Sequence, residues 1–207
     1  MSTSTMYYIF PYDDNGNLYP HPYYGSEQTM SNPPHGWNVL DAIESTDTTA
    51  QSAYLACESL QPQQYVVQNG ALAANPDWTA IELQSAISAQ LASITAGLNA
   101  TLIGGFTSKS TGHIYVTTTN GQTNMEGDLK RFELDSTLTS VEFFTLDAGW
   151  QPHTQAQLQS AFLDGGKWKD AQYAQARTLT QQIQTLASQS GTTVAQIQAV
   201  VWTPATY

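Results

Sequence analysis

A long helical segment near the middle of the chain limits how the remaining residues can fold. Asn75-Pro76-Asp77 is a strong helix start, because it supplies a capping side chain, a proline at the first helical position and an acid beside the positive end of the helix dipole. The helical pattern continues to about Leu102, which gives a rod of roughly 39 Å at ~1.5 Å per residue. Gly104-Gly105 ends it. We therefore predict two small units joined by one helix.

Four branched apolar residues on this helix recur at alternating spacings of four and three, which makes a short heptad seam. They are Ile87, Leu91, Ile94 and Leu98. One interpretation is an amphipathic helix that packs on the sheet of its own unit. The other is a short coiled coil between copies of the chain, which would make these four the oligomerisation residues of a homo-oligomer. A seam this short does not decide between the two.

The residues before the helix carry the signals of short strands and one helix. An aromatic strand begins at Tyr7 and leads into the turn Asp13-Asp14-Asn15-Gly16, because Asn-Gly tolerates positive φ and is typical of hairpins. Residues 20–37 contain several prolines, which predicts an irregular loop. A helix is predicted from Thr48 to Leu60, and Asn69-Gly70 predicts a second hairpin.

The residues after the helix alternate between strand and helix signals. One strand starts at Phe106, and a second runs from His113 to Thr118 with β-branched residues at alternate positions. Asn120-Gly121 predicts a turn before a helix from Gln122 to Phe132. A third strand is predicted from Val141 to Leu146.

The C-terminal part is predicted to be helical. Thr154 with Gln157, and Thr193 with Gln196, each have the spacing of a capping box, in which the two residues satisfy the first free amides of a helix. The first box begins a long helix that Gly165-Gly166 could kink or break. The predicted fold class is therefore α+β: two small antiparallel-sheet units with a helical C-terminus. The predicted parts comprise 1–74, the connecting helix 75–103, and 104–207.

The distribution of charge excludes some partners. The chain has six lysines and arginines against 17 carboxylates, and the first basic residue is Lys109. The N-terminal half would therefore repel phosphate, and no basic cluster follows it, so we expect neither a nucleic-acid nor a membrane partner. No apolar stretch reaches the ~18 residues of a membrane span, so no transmembrane helix is predicted.

The sequence gives no positive signal for catalysis. Cys57 lies in an apolar helical stripe and is predicted to be a buried structural thiol. Asp13-x-Asn15-x-Asn17 begins like a calcium loop, but Leu18 occupies the glycine position, so a hairpin turn is predicted instead. His113 and His153 stand at element edges, where capping or turn hydrogen bonds are expected. We predict no catalytic residue, no metal site and no cofactor.

Aromatic residues are concentrated near the N-terminus, and a unit this small cannot bury all of them. Exposed tyrosine and tryptophan are typical of protein interfaces and of sugar platforms. The predicted partner-binding residues are Tyr7, Tyr8, Phe10, Tyr12, Tyr19, Tyr23, Tyr24 and Trp37.

From residue 105 onward, an ordered series of short motifs resembles a C-terminal domain of unassigned function in tailed-bacteriophage tail proteins. These motifs are Gly105-Phe106-x-Ser108, Gly112-His113-x-Tyr115, Gln122-x-Asn124-x-x-Gly127, Gly149-Trp150-x-x-His153-Thr154-x-x-Gln157 and Asp164-Gly165. The N-terminal start, Tyr7-Tyr8-Ile9-Phe10, is similar in style to tail-fibre assembly proteins.

The resemblance implies a phage protein without catalytic residues. Gly105 and Gly149 would permit turns, and Trp150 and Trp202 would fill core space. The implied function is to bind the tail fibre and to assist its folding or attachment. The alternatives are a permanent structural component of the baseplate or fibre, and a receptor module that binds host glycan through the N-terminal aromatics. The protein would be made in the host cytoplasm and would be retained in the virion tail or act during assembly alone.

Overall fold

The computed structural model describes residues 5–207, which form two compact units divided between Glu82 and Leu83. The first four residues of the predicted first unit lie outside the described residues. The predicted α+β class is confirmed, since each unit combines short antiparallel strands with helices. The three-part division at residues 74 and 103 stays a prediction.

The first unit is built from short strands around one helix, α1 (Thr48–Glu58), with a 3-10 turn at Pro62–Gln64. Its strands are β1 (Tyr7–Ile9), β2 (Pro11–Tyr12), β3 (Tyr23–Gly25), β4 (Asn38–Val39), β5 (Ile43–Glu44), β6 (Tyr65–Gln68) and β7 (Ala71–Ala74). Strand β1 lies between β3 and β5, β2 pairs with β4, and β6 pairs with β7.

The two predicted hairpins of this unit have different outcomes. The β6–β7 hairpin is confirmed, and Asn69 and Gly70 both adopt the positive φ that its turn requires. The Asp13–Gly16 turn also forms, but Tyr12 and Leu18 make only an isolated bridge across it. The main partner of β1 is β3, inside the segment predicted to be irregular. Pro20 and Pro22 lack the amide that a longer return strand would need.

The core of the first unit is apolar and lies under α1. Asp47 caps this helix by accepting the Ala50 amide at 2.8 Å. The small buried residues Ala53 and Cys57 let the helix approach the fully buried ring of Phe10. Cys57 is buried, as predicted, and this burial raises the pKa of its thiol to about 11.

Most of α2 (Trp78–Ile103) belongs to the second unit, since the division falls at Leu83. The remaining elements of that unit are β8 (Phe106–Thr107), β9 (Ile114–Tyr115), α3 (Thr119–Leu134), β10 (Val141–Thr145), β11 (Gly149–His153), α4 (Gln155–Ala187) and α5 (Val194–Gln198). Strands β8 and β9 pair with each other, and β10 and β11 form a hairpin.

The helix starts in this unit show where sequence signals succeed. Both predicted capping boxes, before α4 and before α5, are present with reciprocal side-chain and backbone hydrogen bonds. The predicted turn at Asn120-Gly121 is wrong, because Thr118 accepts the Gly121 amide and starts α3 one turn earlier. Gly165-Gly166 does not break α4, which runs through both glycines.

The inner face of α2 packs against helices α4 and α5, not against a sheet. Ile94 is buried with Ile183 of α4 and Ile197 of α5. Gly97 lies under the ring of Trp202, where an added Cβ would stand 2.5 Å from ring carbons. By length and composition alone α2 could also cross a membrane. In the structure Ala86 and Ile94 are its buried residues, and most of its surface is exposed.

The irregular segment 199–207 is held by side chains of the helices. Gln172, fully buried on α4, donates to the Ala205 carbonyl and accepts the Ala205 amide, each at 2.9 Å. Gln90 of α2 donates to the Val200 carbonyl at 2.6 Å, and the Trp202 indole donates to Thr101 at 3.0 Å. These bonds give an extended segment the backbone partners that a strand would otherwise supply.

Candidate functional site

The first unit presents a stack of tyrosine rings at its surface. The Tyr24 ring stacks on that of Tyr8 at 4.8 Å between centroids, and the Tyr54 ring lies 5.0 Å from Tyr8 and 5.7 Å from Tyr24. Tyr8 is buried, whereas Tyr24 keeps 45% of its surface exposed. Burial and the neighbouring Tyr24 raise the pKa of Tyr8, so the Tyr8 hydroxyl stays neutral at physiological pH. Cross-strand pairing of β1 with β3 positions the two stacked rings.

The other predicted partner-binding residues are divided between core and surface. The rings of Tyr19 and Trp37 meet edge to face at 5.0 Å and are half-buried. Phe10 is fully buried and so unavailable to a partner. The Tyr7 hydroxyl accepts a hydrogen bond from Gln28, and Tyr7, Tyr12 and Tyr23 are half-buried. Among the predicted partner-binding residues, the structure therefore brings Tyr8 into contact with Tyr24, and separately Tyr19 with Trp37.

A buried serine–aspartate pair lies in the core of the second unit. The Ser108 hydroxyl, fully buried after β8, donates to Asp164 of α4 at 2.7 Å, and the Ser110 amide donates to the same carboxylate oxygen at 2.9 Å. Burial raises the pKa of Asp164, but these hydrogen bonds outweigh it and hold the pKa below its ordinary value. The pair therefore ties the β8–β9 connection to α4.

A second network of hydrogen bonds in the second unit joins Tyr115 and His153, which both belong to the motifs that resemble phage tail proteins. The Tyr115 hydroxyl lies 2.9 Å from the Thr111 hydroxyl and 2.8 Å from His153 Nε2. His153 Nδ1 is 2.9 Å from the Gln151 carbonyl, which can only accept, so the proton is assigned to Nδ1. In the neutral ring Nε2 then accepts from Tyr115, and Tyr115 accepts from Thr111.

The other histidine of the motifs contacts a carboxylate at the edge of the sheet. Asp147, in the β10–β11 turn, accepts the Ile114 amide at 2.8 Å and lies 2.9 Å from His113 Nδ1. The Ile114 amide, followed by His113, lowers the pKa of Asp147 to about 2. Asp147 therefore joins β9 to the β10–β11 hairpin, and His113 makes the turn hydrogen bond that the sequence predicted for it.

The polar side chains of these networks are hydrogen-bonded to neighbouring groups, and this limits the reactions that they could catalyse. Ser108 is hydrogen-bonded to Asp164 and not to a histidine, and both nitrogens of His153 are in use. Among residues 5–207 no buried side-chain polar atom lacks a partner, and no cluster of ligating side chains could hold a metal ion. The arrangement fits cross-linking of the core.

The β10–β11 hairpin exposes aromatic residues on its outer face. The prediction that Trp150 fills core space is wrong, because 68% of its surface is exposed. Alternation along β11 turns Trp150 outward, directly opposite Phe144 of β10, while His153 faces inward. The two outer rings meet edge to face at 5.7 Å.

A groove of about 540 Å³ lies between this outer face and α3. We call it the α3 groove. Its aromatic side is formed by Phe144 and Trp150, and the polar side chains that line it on α3 are Asn120, Thr123, Asn124, Asp128 and Arg131. Arg131 donates to Asp128 at 2.7 Å, so the strongest charges in the groove are paired.

The predicted oligomerisation residues lie within the second unit. Ile94 is fully buried, and Ile87 and Leu91 pack partly buried beside it against α4 and α5. Leu98 is half-buried and lies near α4 residues Tyr173 and Arg177 in a shallow cavity. Oligomerisation through this seam stays a prediction, and it would require residues that the unit already uses in its own core.

Sequence reasoning missed Tyr54, Phe144 and Asp147. Tyr54 occupies a helix position that the apolar period assigns to the core, so nothing local links it to Tyr24. The alternation Val141, Phe143, Thr145 leaves Phe144 on the opposite face of β10, and that signal could have identified it. No local pattern identifies Asp147, because its contact with His113 joins residues far apart in the sequence.

Comparison with known proteins identifies the second unit. Residues 85–201 match a protein family described as "Domain of unknown function (DUF4376)". The match covers more than half of the chain and contains the Ser108–Asp164 pair, the His153 network and the α3 groove. No curated protein and no solved structure is significantly similar to the chain.

Proposed function

The chain belongs to the DUF4376 family, and we propose that it is a bacteriophage tail-fibre-associated protein that binds the tail fibre and assists its folding or attachment. The family description carries no activity and no partner. The phage assignment is supported by the ordered motifs from Gly105 to Asp164 that resemble phage tail proteins. The binding role is supported by the surface of the first unit.

The exposed tyrosine stack is the observation that carries the proposal. Tyr24 rests on Tyr8 and Tyr54, so its ring is held in place before any partner arrives. A pre-ordered ring loses little side-chain entropy on binding and offers a large apolar face with one polar tip. Such a ring suits an apolar fibre surface, which it would cover and protect from aggregation.

Charge favours the same class of partner. Residues 1–108 contain no lysine or arginine, so the first unit has no cation for a phosphate or an anionic membrane. We propose that fibre contacts are therefore apolar and hydrogen-bonded. We also propose that the protein is not an enzyme, since the Ser108, His153 and Asp164 side chains are all held by one another or by the backbone.

Copurification with a phage tail-fibre protein expressed together with this chain tests the proposal. Tyr24→Ala should reduce recovery of the fibre at least tenfold, because the outermost ring of the stack is removed. Tyr173→Ala is a matched control, since Tyr173 is 44% exposed but lies on α4 in the second unit. Equal loss in both variants, or in neither, would contradict binding through the stack.

The folding role and the permanent structural role make different predictions. For a folding role, expression of the fibre without this chain should yield insoluble or non-assembled fibre. A fibre that is soluble and assembled alone would exclude that role. For a permanent component of the fibre or baseplate, purified virions should contain the chain at fixed stoichiometry, and its absence from them would exclude that alternative.

A further inference from the structure

The α3 groove presents an exposed indole that its own unit does not cover. Trp150 is the most exposed aromatic side chain in the second unit, and Phe144 beside it is 43% exposed. Leaving a large apolar ring in water forgoes the ~1.5–3 kcal/mol that burial of such a side chain contributes. The inner face of the hairpin is already filled by Val141, Phe143 and His153, so the core of the unit does not depend on the Trp150 ring.

The opposite side of the groove is polar. Asn120, Thr123 and Asn124 project from α3 and are exposed to solvent. Gly127 lies between Asn124 and Asp128, and a Cβ added there would meet no atom within 4 Å, which leaves the floor of the groove open. An occupant must therefore offer one apolar face and a rim of hydrogen-bonding groups.

Charge narrows the chemistry of the occupant. The groove contains two carboxylates, Asp128 and Glu142, and one cation, Arg131, which is already paired with Asp128. An anionic ligand would meet a net negative site, and a lipid or purely apolar peptide would leave the amides of α3 unsatisfied. A neutral ring with hydroxyls around its edge satisfies both sides.

We propose that the α3 groove binds a neutral hexose unit of an oligosaccharide. The apolar face of the sugar ring would lie on the Trp150 indole, with Phe144 supporting the indole from across the hairpin. The hydroxyls of the sugar would contact the Asn124 amide and the Asp128 carboxylate. A volume of about 540 Å³ is within the range of small-ligand pockets and leaves room for the neighbouring sugar of a chain.

This site is separate from the tyrosine stack and does not depend on the fibre partner proposed for it. The glycan-binding alternative predicted from the sequence used the N-terminal aromatics. In the structure Tyr8 stacks on Tyr24 and Tyr19 meets Trp37 edge to face, whereas Trp150 keeps 68% of its surface exposed beside polar side chains.

Titration of the full chain with neutral oligosaccharides tests the site. The probes are maltotriose, cellotriose, lactose and triacetylchitotriose, followed by tryptophan fluorescence and by saturation-transfer NMR of the sugar. At least one of them should bind and change the fluorescence. Trp150→Ala should weaken that binding at least tenfold, and Asn124→Ala should weaken it while leaving the circular dichroism spectrum unchanged.

The control is Phe162→Ala, paired with Phe144→Ala. Phe162 is 41% exposed on α4 and lies outside the α3 groove, so its removal should leave sugar binding unchanged, whereas removal of Phe144 should weaken it. Absence of binding by every probe at millimolar concentration overturns the proposal. Sugar binding that survives Trp150→Ala overturns it too, and loss of fibre copurification in Trp150→Ala without any sugar binding would identify a protein interface instead.

Discussion

The two units of the chain distribute polar and aromatic side chains in opposite ways. In the first unit, aliphatic and aromatic side chains and the Cys57 thiol form the core, and tyrosine rings continue to the surface. In the second, hydroxyl, carboxylate and imidazole groups are buried as satisfied pairs, and an indole stands outside. The comparison shows that in the second unit the buried polar side chains are hydrogen-bonded to their neighbours, whereas an aromatic ring is exposed to solvent.

The largest effect should come from the buried carboxylate of the second unit. Asp164→Ala leaves the buried Ser108 hydroxyl without its acceptor, and a buried unsatisfied group costs about 1–3 kcal/mol. The Ser110 amide loses one of its two acceptors and keeps the Ser108 hydroxyl. We expect the free energy of unfolding of this unit to fall by about 2 kcal/mol in urea denaturation. Asp170→Ala, an exposed position on the same helix, is the control and should change it little. A loss below about 1 kcal/mol would remove the contrast between the units.

A polar group placed in the core of the first unit should lower its free energy of unfolding, whereas the second unit depends on buried polar groups. Cys57→Ser places a hydroxyl in an apolar core and should cost about 1–2 kcal/mol more than Cys57→Ala, although both remove the sulfur. Comparison of the two variants by thermal and urea unfolding isolates polarity from volume. If serine proves as stable as alanine, the core of the first unit accommodates polar groups, and the contrast fails.

Two adjacent glycines of α4 should respond with opposite signs. A Cβ on Gly165 would stand 2.8 Å from the Phe106 ring, so Gly165→Ala should destabilise the second unit by about 1 kcal/mol through overpacking. A Cβ on Gly166 meets nothing within 4 Å, so Gly166→Ala should stabilise the helix by about 0.5–1 kcal/mol. The same denaturation experiment measures both, and equal signs would place Phe106 elsewhere in the core.

The smallest effect should be the dependence of the second unit on acid. The pKa of Asp147 is lowered to about 2 from an ordinary 3.8, so its carboxylate contributes stability above pH 4 that is lost as the pH falls towards 2. NMR titration of the Asp147 carboxyl should give a midpoint near 2 at low salt. In Asp147→Asn the loss of stability over this range should be shallower than in the parent chain, and an identical slope would contradict the contact with Ile114 and His113.

Local signals in the sequence predicted the helix starts and turns better than they predicted which strands pair with each other. Capping boxes at Thr154 and Thr193 and the Asn69-Gly70 turn are decided by a few adjacent residues, and all three are present. The partner of β1 was missed because a distant strand competes with the near one and proline removes the amides of the near one. Trp150 was placed in the core because a large ring is usually buried, whereas strand alternation decides its side.

The candidate sites were predictable only in part. The motifs from Gly105 to Asp164 contain every side chain of the two buried networks except that of Thr111, but spacing alone could not show that Ser108 contacts Asp164 and not a histidine. The tyrosine stack includes two predicted residues and one, Tyr54, from a helix. The α3 groove was not predicted, since it forms where α3 and the hairpin meet.

The two hydrogen bonds between Gln172 and Ala205 affect the order in which the units can fold during translation. Gln172 bonds both the amide and the carbonyl of a residue 33 positions later, and the Tyr207 hydroxyl donates to the Thr107 carbonyl. During translation, α2 and α4 emerge from the ribosome before the residues that complete their hydrogen bonds. The buried amide of Gln172 must wait in water or with a substitute partner until Ala205 leaves the exit tunnel. The second unit can therefore complete these bonds only after Ala205 has emerged, when the first unit is already outside the ribosome.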